Sequence, residues 1–182
     1  MKVLSTSLPG VLTVEPRVFG DERGWFLETW RREKYQAHGI GPDFVQANSS
    51  QSSRGVLRGL HYQWPEPQGK LVWVSAGRVL DVAVDIRPAS STYRQWFACE
   101  LDAESHRQLW IPEGFAHGFQ VLSEQASFHY LCTRPYRAEC DAAIAWNDPE
   151  LAIDWPLSHP DLSPKDAAAP RLAEISHDRL PR

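Results

Sequence analysis

The strongest constraint on the fold comes from an alternation of side chains near the middle of the chain. Residues 81–86 read DVAVDI, in which valine or isoleucine alternates with aspartate or alanine. A period of two residues places successive side chains on opposite faces of a β-strand, so this segment predicts a strand with one buried face. A strand of this kind at the centre of a chain requires a sheet around it.

Other short apolar runs repeat this signal along the central part of the chain, at residues 71–75, 96–101, 107–111, 115–122 and 128–132. Stretches with turn-forming residues separate them, at residues 76–77, 102–105, 112–114 and 123–125. Many short strands with turns at this spacing are typical of a β-sandwich or β-barrel.

Helix signals occur only towards the two ends of the chain. The segment TWRREKYQAHG predicts a helix with Thr29 as its N-cap and Gly39 at its end, and PRLAEISHDRL predicts a last helix from Pro170. The expected fold is therefore mainly β: a jelly-roll barrel with short flanking helices at both ends and an interior that can hold a small ligand. No linker or repeat divides the chain, which predicts one domain over residues 1–182.

Charge and cysteine content exclude several classes of function. The chain has 19 Lys and Arg against 23 Asp and Glu, a net charge of −4, which offers no general attraction to nucleic acid or to an anionic membrane. Three cysteines without paired spacing favour a reducing compartment. The first residues lack the apolar run of a leader, and no later run is long enough to span a bilayer, so we expect a cytoplasmic protein.

A cluster of cations surrounds His61, in the segment RGVLRGLHYQWPEPQGKLVW. A histidine in a barrel strand is more often a packing residue than a catalyst, and a lone cation is more often a solvated surface charge. Together, however, Arg54, Arg58 and Lys70 supply an arginine fork and a lysine point charge, which suit a phosphate or a developing oxyanion.

The relative orientation of Arg58 and His61 depends on the regularity of their strand. Strict alternation puts the two side chains on opposite faces, so both can serve one site only if the strand is irregular between them. Gly59 is the natural position for a bulge.

Two histidines in a small barrel, His61 and His117, raise the alternative of a catalytic metal. Such a metal usually has three protein ligands, commonly two or three histidines with a carboxylate. The metal-binding pattern of cupin barrels requires a second histidine where this chain has Gln63, and Lys70 would repel a cation. A metal-dependent cupin oxygenase or isomerase is therefore the less favoured alternative, which metal analysis of the purified protein would decide.

Two further segments carry residues suited to proton transfer. In FHYLCTRPY, Tyr130 shares a strand face with Phe128 and Cys132; a buried tyrosine is usually a packing residue, but its hydroxyl can pass a proton when a cation is near. In the turn-rich segment LSPKDAAAP, Asp166 is either a turn or cap residue or the carboxylate that orients an imidazole.

Several motifs taken together resemble one known family over nearly the whole chain. In chain order they are FGDERGWFLE, RGVLRGLHYQ, GKLVWVSAGRVLDVAVDIRPASSTY, LWIPEGFAHGFQVLS, WNDPELAIDWP and LSPKD. They resemble the dTDP-4-dehydrorhamnose 3,5-epimerases of the dTDP-L-rhamnose pathway. The resemblance implies a cupin-type jelly roll that works as a homodimer without cofactor or metal.

The resemblance also implies roles for individual residues. His61 corresponds to the base, oriented by Asp166, Tyr130 to the acid, and Arg58 and Lys70 to the cations at the sugar C4 oxygen. His117 and Asp141 correspond to substrate contacts, and Lys165 to a contact with the phosphates. Tyr136 corresponds to an aromatic residue that packs near the nucleotide. The residues implied to hold the nucleotide, partly across the dimer interface, are Arg23, Phe26, Glu28, Gln46 and Asn48. The chain departs from the family pattern at Asp141, where a glutamate is common, and after Tyr136, where a Pro-Glu sequence is usual.

The activity implied is inversion of C3 and C5 of dTDP-4-dehydro-6-deoxy-D-glucose through enolate intermediates, giving dTDP-4-dehydro-L-rhamnose. Two alternatives remain open beside the metal enzyme. One is an epimerase that inverts C3 alone, because it would use the same base and the same ketone. The other is a non-catalytic barrel that binds a sugar nucleotide or carbohydrate, in which replacing His61 would leave binding nearly intact.

Overall fold

The computed structural model describes all 182 residues and contains thirteen strands and two short α-helices. The strands are β1 (Lys2–Ser5), β2 (Leu12–Glu15), β3 (Val18–Asp21), β4 (Gly24–Leu27), β5 (Gln46–Ser53), β6 (Leu57–Gln63), β7 (Lys70–Ala76), β8 (Arg78–Asp85), β9 (Trp96–Asp102), β10 (Gln108–Ile111), β11 (Phe115–Val121), β12 (Gln125–Cys132) and β13 (Asp141–Ala143). The helices are α1 (Arg32–Gln36) and α2 (Pro164–Ala167), and single 3-10 turns occur at Ala138–Cys140, Leu172–Glu174 and His177–Arg179.

Two antiparallel sheets form the body of the molecule. The first has six strands in the order β1-β2-β10-β7-β12-β5, and the second has five in the order β13-β6-β11-β8-β9. Strands β3 and β4 form a separate hairpin outside both sheets. This arrangement confirms the expected jelly roll with short helices near both ends, and each of the strands expected from residues 71 to 132 is present.

The core is divided into three clusters by the two sheets. The cluster between the sheets includes Val72, Ala83 and Phe128. A second cluster covers the outer face of the five-stranded sheet with residues from the C-terminal region, and a third packs α1 and its neighbours on the outer face of the six-stranded sheet. Both sheets are therefore covered on their outer faces, and the space between them is left for the interior cluster and the site.

Strand β8 is buried on both faces, so the expectation of a single buried face is wrong. Val82 and Val84 pack with the C-terminal residues Leu172 and Leu180 on the outer side. Asp81 faces the other way and is fully buried between the sheets. The alternation in the sequence therefore separates two buried environments, one apolar and one containing charged groups.

The helix boundaries differ from the sequence expectation at both ends. Helix α1 has Arg31 rather than Thr29 as its N-cap, because the carbonyl oxygen of Thr29 accepts hydrogen bonds from Tyr35 Oη and Gln108 Nε2 and is tied to the sheet. The predicted last helix from Pro170 is absent. Its residues form two isolated 3-10 turns instead. The chain follows a more extended path than a helix would, which allows Leu172 and Leu180 to be buried in the same core cluster.

No helix of the molecule has the length and apolar character that crossing a membrane requires. The three cysteines Cys99, Cys132 and Cys140 are unpaired.

Candidate active site

A bulge in strand β6 brings Arg58 and His61 to the same side of the sheet. Across the β6–β11 ladder, His61 pairs with His117 and Arg58 pairs with Phe119. A separation of three residues along β6 is therefore opposite a separation of two residues along β11. Gly59 allows the close approach: it has φ of +138°, and a Cβ there would lie 2.5 Å from Gly118 Cα. The bulge expected at Gly59 is confirmed. It allows Arg58 and His61 to lie on one side of the sheet, which strict alternation would prevent.

A cavity of about 400 Å³ opens between the two sheets at the end of β6. Its walls contain eight of the residues that the sequence singled out: Gln46, Asn48, His61, Lys70, Tyr130, Tyr136, Asp141 and Lys165. Tyr62, Gln63, Gln68 and Cys132 complete the lining. This volume falls within the range of cavities that bind small ligands.

His61 and Asp166 form a hydrogen-bonded dyad at the wall of this cavity. Nε2 of His61 lies 2.5 Å from Oδ1 of Asp166, whose side chain is almost fully buried. Burial opposes ionisation of Asp166, but the hydrogen bond from His61, aided by Ser163 and Lys165, outweighs it and lowers the carboxyl pKa below its ordinary value. Because an ionised carboxylate only accepts, Nε2 carries the proton and Nδ1 of His61 has the free lone pair.

Asp166 owes its position to helix α2, a one-turn helix in the segment expected to be a turn. Ser163 is the N-cap, Pro164 is the first helical residue, and the Asp166 N–H donates to Ser163 Oγ at 3.1 Å. Asp166 is therefore neither a cap nor a turn residue but the third position of a one-turn helix. The Ser-Pro pair was the signal available in the sequence.

Tyr130 faces the cavity from the opposite sheet. It lies on β12, between Asn48 of β5 and Val72 of β7, whereas His61 lies on β6 of the five-stranded sheet. Burial, helped by the Cys132 thiol, raises the pKa of Tyr130 above its ordinary value despite the nearby Arg58 guanidinium. The phenol therefore keeps its proton at neutral pH. Its hydroxyl makes no hydrogen bond within the chain.

Lys70 begins β7 next to Tyr130 and pairs directly with Cys132 across the β7–β12 ladder. Burial lowers the pKa of Lys70, opposed by the charges of Asp81 and Asp141. Its ammonium group makes no ion pair or hydrogen bond within the chain and lines the cavity. Lys70 is therefore a cation available to a ligand between the two sheets.

Arg58 lies beside a second opening, of about 320 Å³, which shares His61 and Lys165 with the main cavity and also contains Asp166 and Asp161. Ser52 Oγ of β5 accepts hydrogen bonds from Arg58 Nε and Nη2, both at 3.1 Å. Arg54 lines neither opening.

His117 is buried behind the cavity wall, and its partner Asp81 was not recognised from the sequence. Nε2 of His117 lies 2.9 Å and 3.1 Å from the two carboxylate oxygens of Asp81. Burial lowers the pKa of His117 against the opposing effect of Asp81. His117 does not line the cavity, so its contact with substrate stays a prediction; an aspartate at a core position of a strand was the signal for this pair.

Tyr136, Asp141 and Lys165 form a bonded group in the lining of the cavity. Tyr136 Oη donates to Asp141 Oδ2 at 3.1 Å, and Lys165 forms an ion pair with the same carboxylate. Asp141 stands where the family commonly has a glutamate, and its carboxylate still binds both the Tyr136 hydroxyl and the Lys165 ammonium. Gln46 Oε1 accepts a hydrogen bond from the Tyr136 N–H at 2.7 Å.

Three of the implied nucleotide contacts lie outside the cavity. Arg23 is at the tip of the β3–β4 hairpin and pairs with Asp21, and Phe26 on β4 is 68% exposed. Glu28, just after the hairpin, pairs with Lys34 and Arg31. Within one chain these residues do not meet His61, because the hairpin belongs to neither sheet.

The geometry offers no centre for a metal ion. No three His, Cys, Asp or Glu side chains converge as a ligand set. His61 and His117 each bind a different carboxylate, Asp166 and Asp81 respectively.

Comparison with known proteins agrees with this arrangement. A family model described as dTDP-4-dehydrorhamnose 3,5-epimerase matches residues 5–174. The chain is 53% identical over 175 residues to the dTDP-4-dehydrorhamnose 3,5-epimerase of Salmonella typhimurium, which covers 94% of this chain and 96% of that protein.

Solved structures show the same likeness. The dTDP-6-deoxy-D-glucose-3,5-epimerase of Legionella pneumophila Philadelphia 1, in complex with dTDP-4-keto-L-rhamnose, has a TM-score of 0.97 and 51% identity, covering 100% of this chain and 97% of that one. A 3'-monoepimerase from Streptomyces bikiniensis, in complex with dTDP-quinovose, has a TM-score of 0.87 and 36% identity, covering 92% and 86%. The chain belongs to the dTDP-4-dehydrorhamnose 3,5-epimerases, a family of sugar-nucleotide isomerases.

Proposed function

We propose that the chain inverts C3 and C5 of dTDP-4-dehydro-6-deoxy-D-glucose and releases dTDP-4-dehydro-L-rhamnose. The observation that carries this proposal is the position of His61 and Tyr130 on opposite sheets around one cavity that Lys70 also lines. A base and an acid on opposite walls can act on the two faces of one carbon, which an inversion requires.

The base is His61. The hydrogens at C3 and C5 of the sugar are both adjacent to the C4 ketone, so removal of either leaves an enolate whose charge lies on the C4 oxygen. Nδ1 of His61 takes the proton, and Asp166 holds the ring by accepting the Nε2–H. Asp166 also stabilises the imidazolium that forms.

The cations stabilise the enolate. Lys70 reaches the cavity without a competing ion pair, and Arg58 approaches from the second opening. Positive charges placed in advance around a developing oxyanion are often the largest contribution to catalysis, and losing one donor costs about two to three powers of ten in rate.

The acid is Tyr130. A proton returned from the side of His61 would restore the original configuration, so the new proton has to come from the opposite face. The raised pKa of Tyr130 keeps its phenol protonated, and the nearby guanidinium of Arg58 stabilises the phenolate left after transfer.

The assembly we propose is a homodimer in which the β3–β4 hairpin carries Arg23, Phe26 and Glu28 to the nucleotide bound by the partner. The hairpin exposes Trp25 and Phe26 at 58% and 68%, an apolar surface that association would cover. We propose a cytoplasmic location, for which the three unpaired cysteines are the support.

Solvent exchange tests the function. In deuterated water the wild-type protein should introduce deuterium at both C3 and C5 of dTDP-4-dehydro-6-deoxy-D-glucose, and His61→Asn should abolish both. His129→Asn is the matched control, because His129 lies next to Tyr130 but bonds Ser75 and stacks on Trp73 away from the cavity. Binding of the sugar nucleotide without exchange at either carbon would support the non-catalytic barrel instead.

An epimerase acting on C3 alone is the second candidate, favoured by the likeness to the 3'-monoepimerase. It would use the same dyad, cations and phenol. Deuterium at C3 with none at C5, at long incubation, would establish this reading and overturn the double inversion.

A further inference from the structure

A buried glutamine on the strand of the proposed base is bonded to the loop that carries Tyr136. Gln63 lies two residues after His61 on β6, and only 4% of it is exposed. Its Oε1 accepts a hydrogen bond from the Arg137 N–H at 2.8 Å, and its Nε2 donates to the carbonyl oxygens of Glu66 at 3.0 Å and Pro135 at 3.4 Å. The amide orientation is fixed, because a backbone N–H can only donate and a carbonyl can only accept.

Gln46 makes the complementary contact from the other sheet. Its Oε1 accepts the Tyr136 N–H at 2.7 Å, and its Nε2 donates to Asn48 Oδ1 at 3.0 Å. Pro135, Tyr136 and Arg137 are thus bonded through their backbones to two side-chain amides. The two amides reach the loop from β6 and β5, one strand in each sheet.

The backbone contacts are needed because the Tyr136 ring has little packing of its own. Tyr136 is 54% exposed, and its single side-chain bond goes to Asp141. A loop residue with few apolar contacts has low local stability, so its orientation depends on the hydrogen bonds of its backbone. Asp141 is itself paired with Gln63 in the β6–β13 ladder, which ties both ends of the tyrosine to one strand.

We infer that Gln63, which lines the cavity, is a positioning residue for the nucleotide end of the site and acts through Tyr136, because its own amide is already bonded to the loop backbone. The inference rests on the proposed function and on the role near the nucleotide that the family resemblance implies for Tyr136. With Gln63 in place the loop is ordered before the ligand arrives, so binding does not have to supply the cost of ordering it. The chemistry at His61 does not involve this amide.

The test compares Gln63→Leu with Gln120→Leu. Gln120 is a matched control, because its buried amide also bonds loop backbone, here the carbonyl oxygen and the N–H of Leu157 at 2.8 Å and 3.0 Å, but away from the cavity. We expect Gln63→Leu to weaken binding of dTDP and to raise KM about tenfold, because part of the free energy of its three lost hydrogen bonds orders the loop, with kcat nearly unchanged. Gln120→Leu should lower Tm without changing KM or the affinity for dTDP.

A double variant separates positioning from general destabilisation. In a Tyr136→Ala background, Gln63→Leu should cause little further loss of dTDP affinity, because the group that it positions is already gone. Additive losses in the double variant, an unchanged dTDP affinity in Gln63→Leu, or a fall in kcat equal to the rise in KM would each overturn the inference.

The two proposals fail in different ways. A wild-type protein that binds dTDP in a Gln63-dependent manner but turns over neither carbon of the keto sugar contradicts the proposed function and leaves the positioning role intact. Full turnover by both wild type and Gln63→Leu with the same KM contradicts the positioning role alone. A wild-type protein that does not bind dTDP contradicts both.

Discussion

Nε2 of His61 lies 2.5 Å from Oδ1 of Asp166, although 105 residues separate the two in the chain. The contact fixes which imidazole nitrogen carries the proton, because the carboxylate can only accept. It leaves Nδ1 as the single basic atom of the ring. The direction of proton transfer in the proposed reaction therefore depends on a residue that need not touch the substrate.

Replacing Asp166 by asparagine should remove this control of the tautomer. The asparagine amide can donate to Nε2, which then bears the lone pair while Nδ1 carries the proton. We expect kcat to fall by about three to four powers of ten with a smaller change in KM. Nitrogen NMR of the His61 ring should show the proton on Nε2 in the wild type and on Nδ1 in the variant.

Asp161→Asn is the control for this variant. Asp161 borders the same opening as Asp166 but makes no bond to His61. It should keep the wild-type tautomer and rate. If Asp166→Asn kept the wild-type tautomer of His61 and its kcat still fell by about three to four powers of ten, the carboxylate would not act by setting the tautomer.

Tyr130→Phe separates proton removal from proton delivery. The variant keeps His61, Asp166 and Lys70, so hydrogen should still leave the sugar and exchange with deuterated water. Delivery to the opposite face is lost, and we expect inversion to fall by about two to four powers of ten, more than exchange does. Measuring both rates by NMR on the same sample gives the ratio directly.

Tyr62→Phe provides the matched comparison. The Tyr62 hydroxyl bonds the Arg179 carbonyl oxygen at 3.3 Å, away from Tyr130, and should have little effect on the ratio. Equal losses of exchange and inversion in Tyr130→Phe would remove the role assigned to the phenol.

The charge of Lys70 should determine where kcat/KM declines on the alkaline side of its pH profile. Lysine is charged below its pKa, so its charge is lost as pH rises through that pKa, and burial moves the pKa of Lys70 below the ordinary value. The pKa of Tyr130 is shifted in the opposite direction by burial, so its phenol loses its proton at a higher pH than an ordinary tyrosine. We expect kcat/KM to decline at a lower pH than an ordinary lysine would give.

Two replacements of Lys70 test the origin of this limb. Lys70→Arg stays charged throughout the accessible range, so its alkaline limb should move to higher pH even if its maximum rate is reduced. Lys70→Gln should lose about two to three powers of ten in kcat/KM below the pKa of Lys70, and its difference from the wild type should shrink above that pKa. A limb at the same pH in Lys70→Arg would show that another group titrates.

Much of the fold and of the site could be predicted from local patterns. The strands were found because a period of two residues is a local property, and the bulge at Gly59 followed from the need to place Arg58 and His61 on one side. The roles of His61 and Tyr130 came from resemblance, and the structure brings both residues to one cavity. Local residue types and spacings are sufficient for the strands and the bulge, whereas the two roles need the resemblance.

The errors and omissions concern contacts between distant segments. The second buried face of β8 depends on Leu172 and Leu180, and burial of Asp81 depends on His117, neither of which is visible from periodicity. The predicted helix from Pro170 was wrong because burial of two leucines in one cluster outweighed helix propensity. Tertiary packing decides such cases.

Acid stability should depend on Asp85. This buried carboxylate accepts hydrogen bonds from Arg87 at 2.9 Å and 2.7 Å, and from Ser90 and Thr92 at 2.6 Å each. Burial opposes ionisation, but these bonds outweigh it and lower the pKa of Asp85 to about 2. For a group whose folded pKa is depressed, the stabilisation is present above the unfolded pKa and is lost as pH falls through the folded value.

We therefore expect Asp85→Asn to reduce the free energy of unfolding at pH 7 by about 3 kcal/mol, which for a chain of this size lowers Tm by roughly 10 °C. The difference between wild type and variant should shrink as pH falls from about 4 to about 2, because the wild-type carboxyl then gains its proton. Urea denaturation at a series of pH values measures both effects. Glu100→Gln, which breaks an exposed pair with Arg78, should change stability little at any pH, and a constant difference for Asp85→Asn down to pH 2 would contradict the assignment.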